Sequence, residues 1–189
     1  MQPEELADPI AAAKHLLGMY LVRSFQGKRL IGKIVETEAY FERDEASHSY
    51  RGKTPRTEVM FGPAGHAYVY FSYGVHWCMN ITAGEPGHGA AILIRALEPV
   101  AGIATMQSLR MHKAKTDINL ANGPGKLAQA LAIDKTLYGH DLQLPPLQLL
   151  KTTEHAPAEI VTSTRVGISR AVDAPLRFYI KDSKYVSKK

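Results

Sequence analysis

Residues 67–82, AYVYFSYGVHWCMNIT, constrain the fold more than any other stretch. Apolar and polar residues alternate with period two on both sides of a short break. That pattern suits two half-buried strands and cannot form one amphipathic helix. The reading is strands over 67–71 and 75–82, joined by a tight turn at Phe71-Ser72-Tyr73-Gly74. Tyr68 and Tyr70 then share a face opposite Ala67, Val69 and Phe71. Val75, Trp77, Met79 and Ile81 oppose His76, Cys78 and Asn80. A second hairpin is predicted from strands 20–25 and 29–40, turning at Gln26-Gly27-Lys28. Residues 90–97 form an apolar strand with one charge, Arg95, and strands over 159–168 and 176–181 close the chain.

Helical signals are fewer. Asp8 and Pro9 suit the N-cap and first turn of a helix with Ile10, Ala13 and Leu17 on one face and Gly18 as its stop. Val100, Ile103, Met106 and Leu109 suggest a second. Asn122 caps a third, with Pro124 near its start and Leu127, Ala130 and Leu131 inward. Residues 41–65 read as a long loop and 138–157 as irregular. Strands outnumber helices and come in hairpins. The expected fold class is α+β: a single compact domain over 1–189, with a mostly antiparallel, curved sheet flanked by helices and a protruding β-hairpin.

A chain of 189 residues can bury a full core without staples. Its one cysteine, Cys78, excludes an internal disulfide framework and any multi-cysteine zinc site. No apolar run approaches a membrane span and no signal-peptide pattern is present, so a soluble, reducing compartment is expected. The net charge of +5 fits a polyanion partner without demanding one. The basic residues cluster as Arg51, Lys53 and Arg56, as Arg110, His112, Lys113 and Lys115, and as Lys181, Lys184, Lys188 and Lys189. Each cluster could equally be a solvated surface run.

Four places could carry chemistry. In Glu36-Thr37-Glu38-Ala39-Tyr40 the strand period puts both glutamates and the tyrosine on one face. Side-by-side carboxylates repel and resist burial, so the stretch is either an exposed strand face, a general base, or an acid–base pair flanking a glycosidic bond. His48 lies in an acidic loop with Asp44 and Glu45, either simply exposed or part of a metal site that no second histidine supports. Tyr68 and Tyr70 suit core packing or a stacking wall. Tyr73, at a hairpin tip before a glycine, suits insertion into a base stack. Asn122-Gly123-Pro124-Gly125-Lys126 lacks phosphate-loop spacing, yet could cap a helix or hold one backbone phosphate.

Taken together, IGKIVETEAY, DEASHS, TPRTEVMF, AYVYFSYGVHWCMNI, AILIRALEP, NGPGKLAQALAI, TRVGI and PLRFYIKDS closely resemble the alkyladenine (3-methyladenine) DNA glycosylase family, in the family's order from about Leu16 to Ser183. The resemblance implies a monofunctional enzyme that flips a damaged purine from double-stranded DNA, hydrolyses its N-glycosidic bond and does not cut the strand. Its substrates would be 3-methyladenine, 7-methylguanine, hypoxanthine and etheno-adenine. It makes Glu38 the general base that activates water, with Arg95 and the Val166 backbone holding that water. Tyr40, His48 and Tyr70 become pocket walls, and Asn80 the floor that crowds out guanine's exocyclic amino group. Tyr73 becomes the wedge in the duplex, and Gly125 and Lys126 touch phosphate. Glu36 is left to support the strand or Arg95. The resemblance further implies no metal or other cofactor, no membrane partner, a monomer, and a bare catalytic domain without a long N-terminal extension. Localisation would be cytoplasmic and nucleoid-associated in a bacterium, nuclear in a eukaryote. A non-enzymatic minor-groove binder and a sugar glycosidase using Glu36 and Glu38 are the rival readings.

Overall fold

The structure is a computed structural model that describes residues 3–111, 113–151 and 159–188. His112, Lys189 and the 152–157 part of the predicted irregular stretch lie outside them. Helix α1 (Pro9–His15) starts where sequence places it, with the Asp8 carboxylate accepting from the Ile10 and Ala11 amides at 2.7 and 2.9 Å. Its inward face is Ala12, Ala13, Leu16 and Leu17. Ile10, expected inward, is instead exposed.

Eight strands form one antiparallel sheet among the described residues: β1 (Tyr20–Phe25), β2 (Lys28–Phe41), β3 (Ala67–Ser72), β4 (His76–Thr82), β5 (Ala90–Ala101), β6 (Leu147–Leu150), β7 (Ile160–Ser163) and β8 (Arg177–Ile180). The order is β3-β4-β5-β2-β1-β6, with β8 joining the distal half of β2 and β7 pairing with β8. The β1–β2 turn is tighter than expected. Phe25 pairs with Lys28, and Gln26 and Gly27 take φ values of 48° and 72°, the type I′ geometry that matches strand twist. The β3–β4 loop begins one residue later than expected. Ser72 pairs with His76, leaving Tyr73, Gly74 and Val75 at the tip.

Other boundaries also moved. Val100 extends β5, so α2 spans only Ile103–Leu109. Helix α3 (Pro124–Ala130) is capped by Gly123, and Asn122 instead accepts from Lys126 Nζ at 2.7 Å. The stretch read as irregular contains β6, and the strand expected over 159–168 ends at Ser163.

The central pair, β2 and β5, determines the two faces of the sheet. Their pairing skips Val35 on β2 and both Arg95 and Val100 on β5. Each extra residue reverses the inward–outward phase along its strand. Hence Ile34, Ala39, Ile92, Ile94 and Leu97 all point to one face, where they pack with Ala12 and Ala13 of α1, Met106 of α2 and Leu127 and Leu131 of α3. Thr37 is also on that face, its hydroxyl donating to the Ala13 carbonyl at 2.7 Å. Glu36, Glu38 and Arg95 consequently share the opposite face. The helices cover one side of the sheet and leave the other for chemistry.

Gly102, linking β5 to α2, holds φ 77°, and a Cβ there would stand 2.7 Å from the Arg29 carbonyl oxygen and 2.6 Å from Leu30 Cδ2. A side chain is both strained and obstructed by backbone. Gly102→Ala is expected to lower stability by about 2 kcal/mol. Thermal unfolding should register that as a fall in Tm of roughly 4–8 °C.

Candidate active site

The face opposite the apolar core carries an open cleft of about 780 Å³, with Pro124 at the start of α3 on its edge. Tyr40, His48, Tyr70, Asn80, Arg95 and Val166 all line it, and Tyr73 stands at its mouth. β2 therefore delivers Tyr40, β3 Tyr70, β4 Asn80 and β5 Arg95 by simple alternation. His48 comes from the 41–65 loop and Val166 from the loop after β7.

Glu38 sits beside the cleft, with no exposed surface of its own. Its Oε1 accepts from the Val166 amide at 2.8 Å. Its Oε2 accepts from the Tyr40 hydroxyl at 2.7 Å and from Arg95 Nη1 at 3.2 Å. Arg95 Nη1 also donates to the Val166 carbonyl at 3.1 Å, closing a ring of carboxylate, guanidinium and backbone. Burial and the adjoining Glu38 carboxylate push the Tyr40 hydroxyl far up, so it remains a donor.

Glu36 is equally buried but differently engaged. Arg95 Nε at 3.2 Å, Arg177 Nε at 2.7 Å and the Ser187 hydroxyl at 2.9 Å all donate to its Oε1, and the Ser187 amide donates to Oε2 at 2.6 Å. The exposed-strand reading of this stretch therefore fails: two carboxylates are buried because two arginines balance them. The acid–base pair reading loses Glu36, whose carboxylate is taken up by donors from Arg95, Arg177 and Ser187.

The walls are aromatic. His48 and Tyr70 meet edge-to-face with centroids 4.6 Å apart, and Tyr68 lies behind, its hydroxyl 2.8 Å from His48 Nδ1. His48 keeps part of its ring open to solvent at the rim. The enclosed side dominates: burial, aided by the nearby Arg56 charge, pushes its pKa down to about 4. It is thus neutral at ordinary pH. Burial also moves the Tyr68 hydroxyl up to about 12. Asn80 is held at the base, its amide donating to the Tyr68 carbonyl at 3.1 Å.

Tyr73 is 85% exposed, with φ 50°, and its hydroxyl reaches the Gly167 carbonyl at 3.4 Å. Gly125 and Lys126 are placed differently from the other candidates. The missing side chain of Gly125 makes room for the His76 ring, 2.5 Å from where a Cβ would lie, and Lys126 binds Asn122. Among the described residues, no group of three His, Cys, Asp or Glu stands where it could hold a metal ion.

Sequence reasoning missed Arg165. Its guanidinium donates to Asp44, at 2.8 Å to Oδ1, and to the Ala39 carbonyl at 3.0 Å, and lies 4.5 Å from the centroid of the Tyr40 ring. Burial opposes its charge, but the Asp44 bonds outweigh that and hold its pKa up. This anchor explains why β7 stops early: burying Arg165 pulls the next residue, Val166, against Glu38, and Gly167 turns the chain away at φ 80°. The pairing spans residues 44 and 165, so no local pattern reveals it.

The sequence model described as methylpurine-DNA glycosylase matches residues 4–184. A Carboxydothermus hydrogenoformans protein named "Putative 3-methyladenine DNA glycosylase" is 55% identical over 96% of this chain and 95% of its own length. Relatives of the same name from Methanoculleus marisnigri and Francisella tularensis are 51% and 49% identical, each over at least 94% of both chains. Nearly the whole fold and every cleft element described above fall within these matches, and the chain belongs to the methylpurine-DNA glycosylase family.

Proposed function

We propose that this protein flips alkylated and deaminated purines out of duplex DNA and hydrolyses their N-glycosidic bond with a water activated by Glu38, leaving the strand uncut. The observation that carries the reading is the buried Glu38 carboxylate, aimed by Val166, Tyr40 and Arg95 beside a cleft walled with aromatic rings. Cleavage builds positive charge on the sugar. A carboxylate with little solvent around it stabilises that charge strongly and takes the proton from the attacking water. Arg95 and the Val166 backbone, already bonded to Glu38, are the groups that orient the water.

The wall chemistry supports damaged purines as the substrate class. Tyr40 and Tyr70 offer electron-rich faces to a flipped base, favouring cationic alkylated purines. A neutral His48 adds no repulsion to such a base. Asn80 at the base of the cleft occupies the space that guanine's amino group would need. Etheno-adenine, hypoxanthine, 3-methyladenine and 7-methylguanine are the proposed substrates.

Tyr73 at its exposed tip fills the gap left by the departing nucleotide, and Arg51, Lys53 and Arg56 offer exposed charge to phosphates. Lys126 and Gly125 remain proposed phosphate neighbours at the edge of this surface. In this reading the hydrolysis is monofunctional: water attacks the sugar, and no amine forms the covalent link that strand cutting requires. The protein acts alone, as a monomer without a cofactor.

Two single-turnover experiments test this. Glu38→Gln is expected to bind lesion DNA while excision falls by about two to four orders of magnitude. Near-normal excision by that variant would remove Glu38 from the chemistry. Tyr73→Ala is expected to slow excision of hypoxanthine more in a matched duplex than in a mismatch, because the wedge offsets unstacking and not bond cleavage. Equal slowing in both contexts, or none, would make Tyr73 an ordinary turn residue.

A further inference from the structure

The segment 183–188 returns to the site from the far side of the sheet. Val186 is buried there, and Ser187 meets Glu36 twice, through its amide at 2.6 Å and its hydroxyl at 2.9 Å. The same hydroxyl accepts from Arg95 Nη2 at 3.3 Å. Arg177, the other arginine on Glu36, donates through Nη2 to the Lys188 carbonyl. A single serine oxygen therefore joins the buried carboxylate to the guanidinium that faces Glu38.

We infer that Ser187 is a positioning residue for excision, fixing the plane of the Arg95 guanidinium. Arg95 has three separate tasks. Its Nε serves Glu36, its Nη1 serves Glu38 and the Val166 carbonyl, and its Nη2 serves Ser187. Nε and Nη2 lie along one edge of the planar guanidinium. Glu36 and Ser187 clamp that edge, and the clamp leaves Nη1 one direction to point. Without the Ser187 hydroxyl, the group can rotate about its remaining bonds, and Nη1 no longer holds its place between Glu38 and Val166. The tail thus stiffens the groups proposed to orient the water.

This inference rests on the assignment of Glu38 and Arg95 to catalysis. The test compares Ser187→Ala, Ser187→Cys and Ser187→Thr with the wild type and with Glu38→Gln, measuring single-turnover excision, lesion-DNA affinity and Tm. Misplacing a catalytic group by a fraction of an ångström is expected to slow Ser187→Ala by about tenfold at saturating enzyme, with affinity within about twofold. Ser187→Thr, which keeps the hydroxyl, should restore the rate to near wild type, and Ser187→Cys, a weaker donor of similar size, should fall between. Rates that are unchanged across the series, or that follow Tm instead of the hydroxyl, would overturn the role of Ser187. If Glu38→Gln stays active, the underlying catalytic assignment fails instead, whatever the serine variants do.

Discussion

The Arg95 guanidinium, shared between two fully buried carboxylates, is the interaction on which the site depends. Glu36 and Glu38 lie two residues apart on one strand face, an arrangement that repulsion and desolvation would normally forbid. Arg95 from the neighbouring strand bridges them, and Arg177 from β8 adds the second positive charge. Two negative and two positive charges then share one dry layer. Removing any one of them would leave a buried charge uncompensated, a loss of about 3–5 kcal/mol. The helices on the opposite face supply the apolar packing against which this layer is held.

The paired register shifts at Val35 and Arg95 make this layer possible. A regular β2–β5 ladder would carry Ile34 and Glu36 on one face. With Val35 extra on β2 and Arg95 extra beside it on β5, Ile34 and Leu97 stay in the core while Glu36, Glu38 and Arg95 share the opposite face. The two long-range anchors then act from either side. Arg165, held by Asp44, brings the Val166 amide to Glu38, and Ser187 completes the shell of Glu36. The polar groups thus sort themselves: Glu38 bonds to the cleft residues Tyr40, Arg95 and Val166, and Glu36 bonds to Arg95, Arg177 and Ser187.

Much of this was legible in the chain. Alternation in 67–82 separated Tyr68 and Tyr70 from Ala67 and Val69, and Asn80 from Met79 and Ile81, and the structure makes the first set cleft lining and the second core; Asp8 marked the start of α1 correctly. The same alternation put Glu36, Glu38 and Tyr40 together. What stayed hidden was what surrounds them. Whether two glutamates are exposed or buried depends on partners such as Arg177 and Ser187, which lie far along the chain and give no periodic signal. The strand expected through 168 failed because Arg165 gains more from Asp44 and the Tyr40 ring than from a ladder beside β8. β6 was missed because Leu147–Leu150 is four residues long, too short for alternation to show. Gly125, which suggested a phosphate contact, has a packing reason in His76 that only three dimensions reveal.

The central claim is that water, activated by a buried carboxylate, is the nucleophile. The most direct measurement follows a duplex with one hypoxanthine at a known position, end-labelled and incubated with the wild-type protein and EDTA in two parallel reactions, one with borohydride to trap any protein–DNA adduct and one without it to count released base and alkali-labile sites. The account predicts free hypoxanthine in equal number to alkali-labile sites, strands intact until alkali is added, and no protein–DNA adduct. A borohydride-trapped adduct, strand scission before alkali, or no released base would contradict it.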